Sequence, residues 1–209
     1  MPALGEALAA GRMRLATAGL PAAGLEARVL LEHAAGLDSA AFLARVREPL
    51  AAAAAARYEE LLAGRAQRAP LAYLTGAREF WSLRLAVDSR VLVPRPETES
   101  LVEATLARVE PAARIADIGT GSGAVAIALA VVLPRAAFWA VDCSAGALAL
   151  ARANAETHGL SKRIAFLEGD LADPLAPFAG TIDAIVSNPP YIPSGENGQG
   201  RVLGAADPD

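Results

Sequence analysis

The amino-acid sequence predicts an α/β protein with a doubly wound, Rossmann-like parallel sheet, preceded by a small all-helical domain and a β-hairpin linker. Apolar residues recur at helical spacing over residues 2–68, and the periodicity becomes two-fold between about residues 70 and 95. From residue 114 onward, short apolar strands alternate with helical segments, and a glycine-rich loop follows the first strand. We therefore expect a helical domain over 1–72, a hairpin over 73–98 and an α/β domain over 99–209.

Composition limits the classes of function. The 209 residues are 54% hydrophobic and 20% charged, which is enough apolar material for a buried core. The net charge is −4, the pI is about 5.3, and no segment is strongly basic, which argues against direct binding of nucleic acid by bulk electrostatics. The single cysteine, Cys143, forms no internal disulfide and leaves no metal-ligand cluster, so we expect no metal.

The sequence also predicts a cytoplasmic protein without a membrane span. Glu6 and Arg12 interrupt what would have to be the apolar core of a signal peptide. The longest apolar run, residues 124–133, is too short to cross a bilayer and is typical of a buried helix. The lone cysteine is consistent with a reducing compartment.

Turn and cap residues in the helical domain predict where its second, third and fourth helices begin. Pro21 is expected to open the second helix, Asp38 or Ser39 to cap the third, and Pro49 to be the first residue of the fourth.

The hairpin is predicted from two alternating apolar segments, residues 83–87 and 91–93, with its turn at Asp88-Ser89. The segment 94–99, Pro-Arg-Pro-Glu-Thr-Glu, then reads as a rigid entry to a helix.

A nucleotide site is predicted at the C-terminal ends of the next strands. The first strand leads directly into the loop Gly119-Thr120-Gly121-Ser122-Gly123, where glycines allow close approach of a ligand at a helix N-terminus. The second strand ends in Asp142, whose carboxylate can accept both hydroxyls of a ribose. Because Gly119, Gly121 and Ala124 also satisfy the pattern G-x-G-x-x-A, an NAD-type dinucleotide remains open on this evidence.

The third strand contributes two further candidates. Asp170 follows it and could contact an adenine amine, while Leu171 could cover the adenine ring. As an exposed loop acid, Asp170 could equally be a solvated turn residue.

The fourth strand, residues 182–187, leads into Asn188-Pro189-Pro190-Tyr191. Two prolines remove two N–H donors and stiffen the loop, which leaves it rich in carbonyl acceptors. Asn188 adds a side-chain oxygen, and its NH2 group can be anchored elsewhere. Tyr191 adds a flat ring with a polar tip. Such a site suits a planar NH2 group, although a rigid turn would use the same residues.

Taken together, these motifs resemble the peptide chain release factor glutamine methyltransferases (the PrmC/HemK family), which are class I S-adenosylmethionine-dependent enzymes. The resemblance covers roughly residues 1–195. Its most specific parts are the segments Arg78-Glu79-Phe80-Trp81-Ser82-Leu83 and Val93-Pro94-Arg95-Pro96-Glu97-Thr98-Glu99, which precede the glycine loop.

The resemblance implies methyl transfer from S-adenosyl-L-methionine to the glutamine side-chain nitrogen in the Gly-Gly-Gln motif of class 1 release factors. It implies cofactor binding by residues 119–123, Asp142, Asp170, Leu171 and Asn188. Catalysis and substrate binding would fall to Asn188, Pro189, Pro190 and Tyr191, with Arg95 and Glu97 also binding substrate. The complete protein would act as a monomer.

Three alternatives stay open. A DNA adenine methyltransferase shares the glycine loop and the Asn-Pro-Pro-Tyr segment, but the chain has no basic domain. An NAD-dependent oxidoreductase would need an acid/base pair that the sequence does not offer. The family's sheet continues with further strands, whereas residues 195–209 are turn-rich. We therefore also expect a truncated sheet with an apolar edge at residues 182–186. The third alternative is a nucleotide-binding chain that retains its cofactor and amide pockets but is unstable or inactive alone.

Overall fold

The computed structural model describes residues 1–188, and its contacts divide the chain into two compact units. The first unit comprises Met1–Thr75, and the second begins at Gly76. No helix within residues 1–188 has the length and apolarity needed to cross a membrane.

The first unit is built of five helices around its own apolar core. They are α1 (Leu4–Thr17), α2 (Ala23–Ala35), α3 (Ser39–Ala44), α4 (Ala52–Ala66) and α5 (Leu71–Thr75). The largest fully buried side chains of this unit are Leu15, Leu30, Leu31, Phe42, Tyr58 and Leu62. This arrangement confirms the helical N-terminal half that the apolar spacing predicts.

The expected helix boundaries can be compared with the structure. Pro21 does not open the second helix but lies two residues before α2, which begins at Ala23 after its N-cap Ala22. The Asp38 carboxylate accepts the backbone N–H of Ala41 at 2.7 Å, so Asp38 caps α3 as expected. Pro49 does not begin the fourth helix, since α4 starts at Ala52. Pro49 instead forms an isolated antiparallel bridge with Ala3, and this pairing holds its segment extended.

Close packing of α1 against α4 depends on a residue without a side chain. A Cβ atom at Gly11 would overlap the hydroxyl and ring of Tyr58. Tyr58 is buried and donates its hydroxyl to the carbonyl of Ala27 on α2 at 3.1 Å. Burial, with a smaller contribution from Glu59, raises the pKa of Tyr58 well above its usual range. The Tyr58 side chain thus ties α4 to both α1 and α2.

The second unit contains a hairpin followed by an alternation of helices and parallel strands. Its elements are β1 (Ala77–Phe80), β2 (Leu83–Ala86), α6 (Glu99–Leu106), β3 (Arg114–Ile118), α7 (Ala124–Val132), β4 (Ala137–Asp142), α8 (Ala145–Thr157), β5 (Ile164–Glu168) and β6 (Ala184–Ser187). Short 3₁₀ helices lie at Pro96–Thr98 and Asp173–Phe178. The sheet order is β5-β4-β3-β6 with all strands parallel. This order confirms the predicted doubly wound α/β fold.

The hairpin exists, but its predicted turn is wrong. β1 and β2 pair through a two-residue turn at Trp81-Ser82, and residues 90–98, after Asp88-Ser89, form no strand. Trp81 and Ser82 both have positive φ, 53° and 57°, which suits a tight hairpin turn but is rarely adopted by residues other than glycine and asparagine. The sequence therefore carries no ordinary turn signal at this position.

The sheet is covered on both faces. On one face, α7 is buried from Ala124 to Ala130 and packs with Ile115 and Phe138, and the hairpin residue Leu85 joins the same core. On the other face, Trp139 packs with Leu175 and Phe178 from the second 3₁₀ helix. The hairpin thus shares the core of the parallel sheet.

β6 forms one edge of the sheet in the part of the chain that the structure describes. It pairs with β3 on one side and has no described strand on the other. Ile185 is 59% exposed there, which agrees with the apolar edge expected for this segment. The strand is shorter than the predicted 182–187, because Asp183 lies just outside it and exchanges hydrogen bonds with Arg114.

Candidate active site

The glycine loop turns sharply between β3 and α7. Gly119, Gly121 and Gly123 all have positive φ, at 72°, 55° and 82°. The backbone N–H groups of Gly119 and Thr120 both donate to the carbonyl of Val141 on β4, at 2.8 and 2.9 Å. A Cβ atom at Gly119 or Gly121 would meet nothing within 4 Å, so the loop has open space beside it. The loop therefore has a defined shape and room for a ligand.

A buried carboxylate, Asp117, lies beneath this loop. It is 3% exposed and accepts hydrogen bonds from the Thr120 hydroxyl at 2.7 Å and from the N–H of Ala126 at 3.3 Å. The pKa of Asp117 is raised to about 6, chiefly by burial and to a smaller extent by the nearby charge of Asp142, while the two hydrogen bonds oppose the rise. Asp117 thus joins the end of β3, the loop and the first turn of α7.

Asp142 lies at the rim of the same loop. One carboxylate oxygen accepts the N–H of Gly121 at 2.9 Å, and the other accepts the N–H of Ser144 at 2.9 Å. Each carboxylate oxygen keeps a second acceptor position. Asp142 can therefore hold the loop and still accept the two hydroxyls of a ribose.

The tip of β5 lies next to this rim. The N–H of Gly169 donates to the carbonyl of Asp142 at 3.1 Å, and Asp170 follows with an exposed side chain. Leu171 has φ of 44° and is 68% exposed, so an apolar side chain is held at the surface in a strained conformation. Both residues follow the end of β5, and their contacts with a ligand stay a prediction.

Asn188 follows β6 on the other side of the loop. Ser187, one residue earlier, pairs with Ile118 at the end of β3 and donates its hydroxyl to the carbonyl of Ile118 at 2.8 Å. The side-chain NH2 of Asn188 donates to the hydroxyl of Thr98 at 2.8 Å. Asn188 therefore has an anchored amide next to the loop. The other predicted members of this segment, Pro189, Pro190 and Tyr191, lie outside the described residues.

Arg95 and Glu97 belong to the segment that supplies Thr98. Both side chains are exposed at the 3₁₀ helix Pro96–Thr98, and the carbonyl of Arg95 accepts the N–H of Thr98 at 3.0 Å. Since the neighbouring Thr98 contacts Asn188, the segment containing Arg95 and Glu97 lies beside the candidate site. Their binding of a substrate stays a prediction.

Comparison with known proteins covers both halves of the chain. The PrmC N-terminal domain family matches residues 6–76, and the methyltransferase small domain family matches residues 96–202. The release factor glutamine methyltransferase of Moorella thermoacetica is 49% identical over 92% of this chain and 66% of its own length. That of Deinococcus radiodurans is 44% identical over 94% of this chain and 69% of its own length. The chain belongs to the release factor glutamine methyltransferase family.

The chain spans about two thirds of the length of these relatives. Among solved structures, TrmN from Thermus thermophilus is 38% identical over 44% of this chain and 27% of that chain, with a TM-score of 0.39. That structural likeness is too low to add to the assignment.

Four residues that were not predicted from the sequence contact the glycine loop, Asn188 or the hairpin. Besides Asp117 and Thr98, the Glu99 carboxylate accepts the N–H of Trp81 at 2.8 Å and so holds the positive-φ hairpin turn. Asn154, which is 2% exposed on α8, accepts the N–H of Ala86 and donates to the carbonyls of Ala86 and Ser122. Asn154 gave a usable signal, because it is a polar residue on the otherwise apolar stripe of α8.

Proposed function

We propose that this chain binds S-adenosyl-L-methionine and directs its methyl group to the glutamine side-chain nitrogen of the Gly-Gly-Gln motif in class 1 release factors. Membership of the family supports the reaction class. The observation that carries the substrate assignment is Asn188, whose amide is anchored one residue beyond the strand that flanks the glycine loop. The proposed substrate places the protein in the cytoplasm.

The loop residues fit the proposed cofactor. The open space beside Gly119 and Gly121 allows a ligand to approach the backbone, and Asp142 keeps acceptor positions for ribose hydroxyls. Asp170 and Leu171 lie at the neighbouring strand tip, where an adenine could be contacted and covered. S-adenosylmethionine supplies an electrophilic methyl group on a positively charged sulfur.

Asn188 supplies what the glutamine amide needs. Its NH2 donates to Thr98, so its carbonyl oxygen remains to accept a hydrogen from the substrate amide. Holding the amide in this way orients its weakly nucleophilic nitrogen, and orientation alone can be worth effective molarities of about 10⁵ M or more. Transfer would form the new N–C bond as the S–C bond breaks, and the nitrogen would then release a proton to water. No strong base is needed for that proton, because the methylated nitrogen is cationic.

The test measures both binding and transfer. Calorimetric titration of the purified 209-residue chain with S-adenosylmethionine is expected to show one site, and Asp142→Ala is expected to weaken it at least tenfold. With methyl-labelled cofactor, label is expected on the glutamine of a purified class 1 release factor. Asn188→Ala is expected to abolish labelling while leaving cofactor binding within about threefold, since its amide is assigned mainly to the substrate.

Controls separate this proposal from its alternatives. A release factor whose Gly-Gly-Gln glutamine is replaced by alanine should receive no label, and the full-length Moorella relative provides the comparison of rates. Label on adenine in duplex DNA would favour the DNA methyltransferase alternative. Cofactor binding by the 209-residue chain without methyl transfer would support the inactive nucleotide-binding alternative for this chain.

A further inference from the structure

We infer that Thr98 is a positioning residue that holds the Asn188 amide in place for the substrate. The inference rests on the proposed function and adds to it a residue outside the glycine loop and the Asn-Pro-Pro-Tyr segment. Thr98 is 9% exposed, and its hydroxyl receives the Asn188 NH2 at 2.8 Å across ninety positions of sequence. The contact thus joins the start of α6 to the end of β6.

The contact matters because an asparagine amide is planar and has two unlike ends. Its nitrogen is a donor and its oxygen is an acceptor. When the nitrogen faces Thr98, the oxygen faces the opposite side and can accept a hydrogen from an incoming NH2 group. If the amide were reversed, its own NH2 would face the NH2 of the substrate, and two donors would oppose each other. The orientation of the Asn188 amide therefore decides whether its oxygen can accept a hydrogen from the NH2 group of a glutamine.

Thr98 is itself held firmly. It ends the 3₁₀ helix that Pro96 begins, and its N–H donates to the carbonyl of Arg95 at 3.0 Å. The next residue, Glu99, accepts the N–H of Trp81 at 2.8 Å. Two consecutive residues thus fix the amide of Asn188 and the turn of the hairpin. Because Thr98 is already held in place, its hydroxyl can hold the Asn188 amide at little entropic cost.

The experiment compares Thr98→Val, which removes the hydroxyl but keeps the shape, with Thr98→Ser, which keeps the hydroxyl. Thr105→Val is the matched control, because Thr105 is a buried threonine on α6 whose hydroxyl donates to the carbonyl of Leu101 at 2.7 Å. The first measurement is solvent exchange of the Asn188 side-chain NH2 by NMR, assigned through its absence in Asn188→Ala. Exchange is expected to rise about tenfold in Thr98→Val and to stay near the wild-type rate in the other two variants.

The second measurement is methyl transfer to release factor. Thr98→Val is expected to lower kcat by about tenfold to a hundredfold, a loss typical of a misplaced reacting group, with cofactor affinity unchanged. Thr98→Ser should recover most of kcat, and Thr98→Val should add no further loss in an Asn188→Ala background. Urea unfolding of every variant identifies any loss due to misfolding.

Several outcomes would overturn the inference. Unchanged NH2 exchange in Thr98→Val would show that the hydroxyl does not hold the amide. Changed exchange with unchanged kcat would show that the contact has no positioning role, and equal losses in Thr98→Val and Thr98→Ser would show a purely structural one. A wild-type chain that transfers no methyl group counts against the proposed function instead, and the exchange rates still decide whether Thr98 orients Asn188.

Discussion

Asp117 places an ionisable carboxyl group in the interior of the second unit, where its charge has little access to water. Its hydrogen bonds from Thr120 and Ala126 compensate only part of the desolvation, so the pKa of Asp117 is raised to about 6. A carboxyl group whose pKa is higher in the folded protein than in the unfolded chain binds its proton more tightly when folded. Protonation of Asp117 therefore favours folding.

We predict that Asp117→Asn removes one specific pH dependence of stability. As the pH falls from about 7 to about 4, the wild type should gain about 2 to 3 kcal/mol in free energy of unfolding relative to the variant, because only the wild type takes up this proton. The measurement is urea unfolding of both proteins across this range. Comparing the two removes the contributions of the other carboxylates, which both proteins share.

A constant difference between wild type and Asp117→Asn across that pH range would contradict the raised pKa. Asp88→Asn is the matched control, because its pKa is lowered by its hydrogen bonds with Arg90, and its side chain is exposed. Its difference from the wild type should not grow as the pH falls.

Among single residues, the sequence predicted those at the end of a strand. It missed those that act on the site through a contact with another residue. Asp142 could be predicted because it ends an apolar strand at a known spacing from the glycine loop. Thr98 could not, since its partner Asn188 is ninety positions away and only the packing of α6 beside β6 brings them together. Asp117 looked like an ordinary strand residue, because its role depends on burial.

Helix α8 links the hairpin to the glycine loop through one side chain. The Asn154 amide pairs with both backbone groups of Ala86, at 2.7 and 3.0 Å, and also donates to the carbonyl of Ser122 at 2.9 Å. The bond to Ser122 is buried and the two bonds to Ala86 are partly buried, so backbone groups left unpaired there would be costly.

We predict that Asn154→Ala lowers the free energy of unfolding of the second unit by about 2 to 4 kcal/mol, because it leaves buried backbone groups of Ala86 and Ser122 without this partner. It should also weaken binding of S-adenosylmethionine, since the carbonyl of Ser122 is no longer held. Urea unfolding and calorimetric titration measure the two effects.

Thr157→Ala is the matched control on the same helix, because Thr157 is exposed and its hydroxyl donates only to the carbonyl of Ala153 among the bonds described. It should change stability by no more than about 0.5 kcal/mol and leave the cofactor affinity unaltered. Equal effects of the two substitutions would refute the linking role of Asn154.

Helices and strands with a strong apolar periodicity were predicted well, whereas the position of the hairpin turn was not. β3, α7, β4, α8 and β5 follow the alternation of apolar strands and helical segments expected from residue 114 onward. The turn at Trp81-Ser82 was missed, because its positive φ angles are enforced from outside by Glu99 and by the packing of Trp81 against the core. Local sequence preference has no access to such a constraint.

On the scale of the whole molecule, the two units have separate apolar cores with no residue in common. Both tryptophans, Trp81 and Trp139, belong to the second unit. Tryptophan fluorescence therefore reports unfolding of the second unit alone, while far-ultraviolet circular dichroism reports the helices of both.

We predict that Gly11→Ala destabilises only the first unit. Alanine is the better helix former by about 1 kcal/mol, but a methyl group at this position would displace Tyr58, and such overpacking costs typically about 1 to 3 kcal/mol. Because Tyr58 is fully buried and hydrogen-bonded, we expect a net loss of about 2 kcal/mol. The helical transition should move to lower urea concentration while the tryptophan transition stays in place.

Gly24→Ala provides the control, because the nearest atom to its added methyl group would be Arg12 Cδ at 3.8 Å. It should leave the first unit equally stable or raise its stability by up to about 1 kcal/mol. A shift of the tryptophan transition by Gly11→Ala would show that the two units do not unfold independently.

The carboxylates of Asp117 and Asp142 contact the glycine loop, and their charges affect which nucleotides the loop can bind. A dinucleotide brings a pyrophosphate, whose negative charge is stabilised by free N–H groups at a helix N-terminus. In this chain the N–H of Gly121 already donates to Asp142, and Asp117 adds a second negative charge beneath the loop at neutral pH. We therefore expect the site to select by charge, disfavouring NAD-type cofactors although the glycine spacing would accept them, and favouring a ligand with a cationic centre.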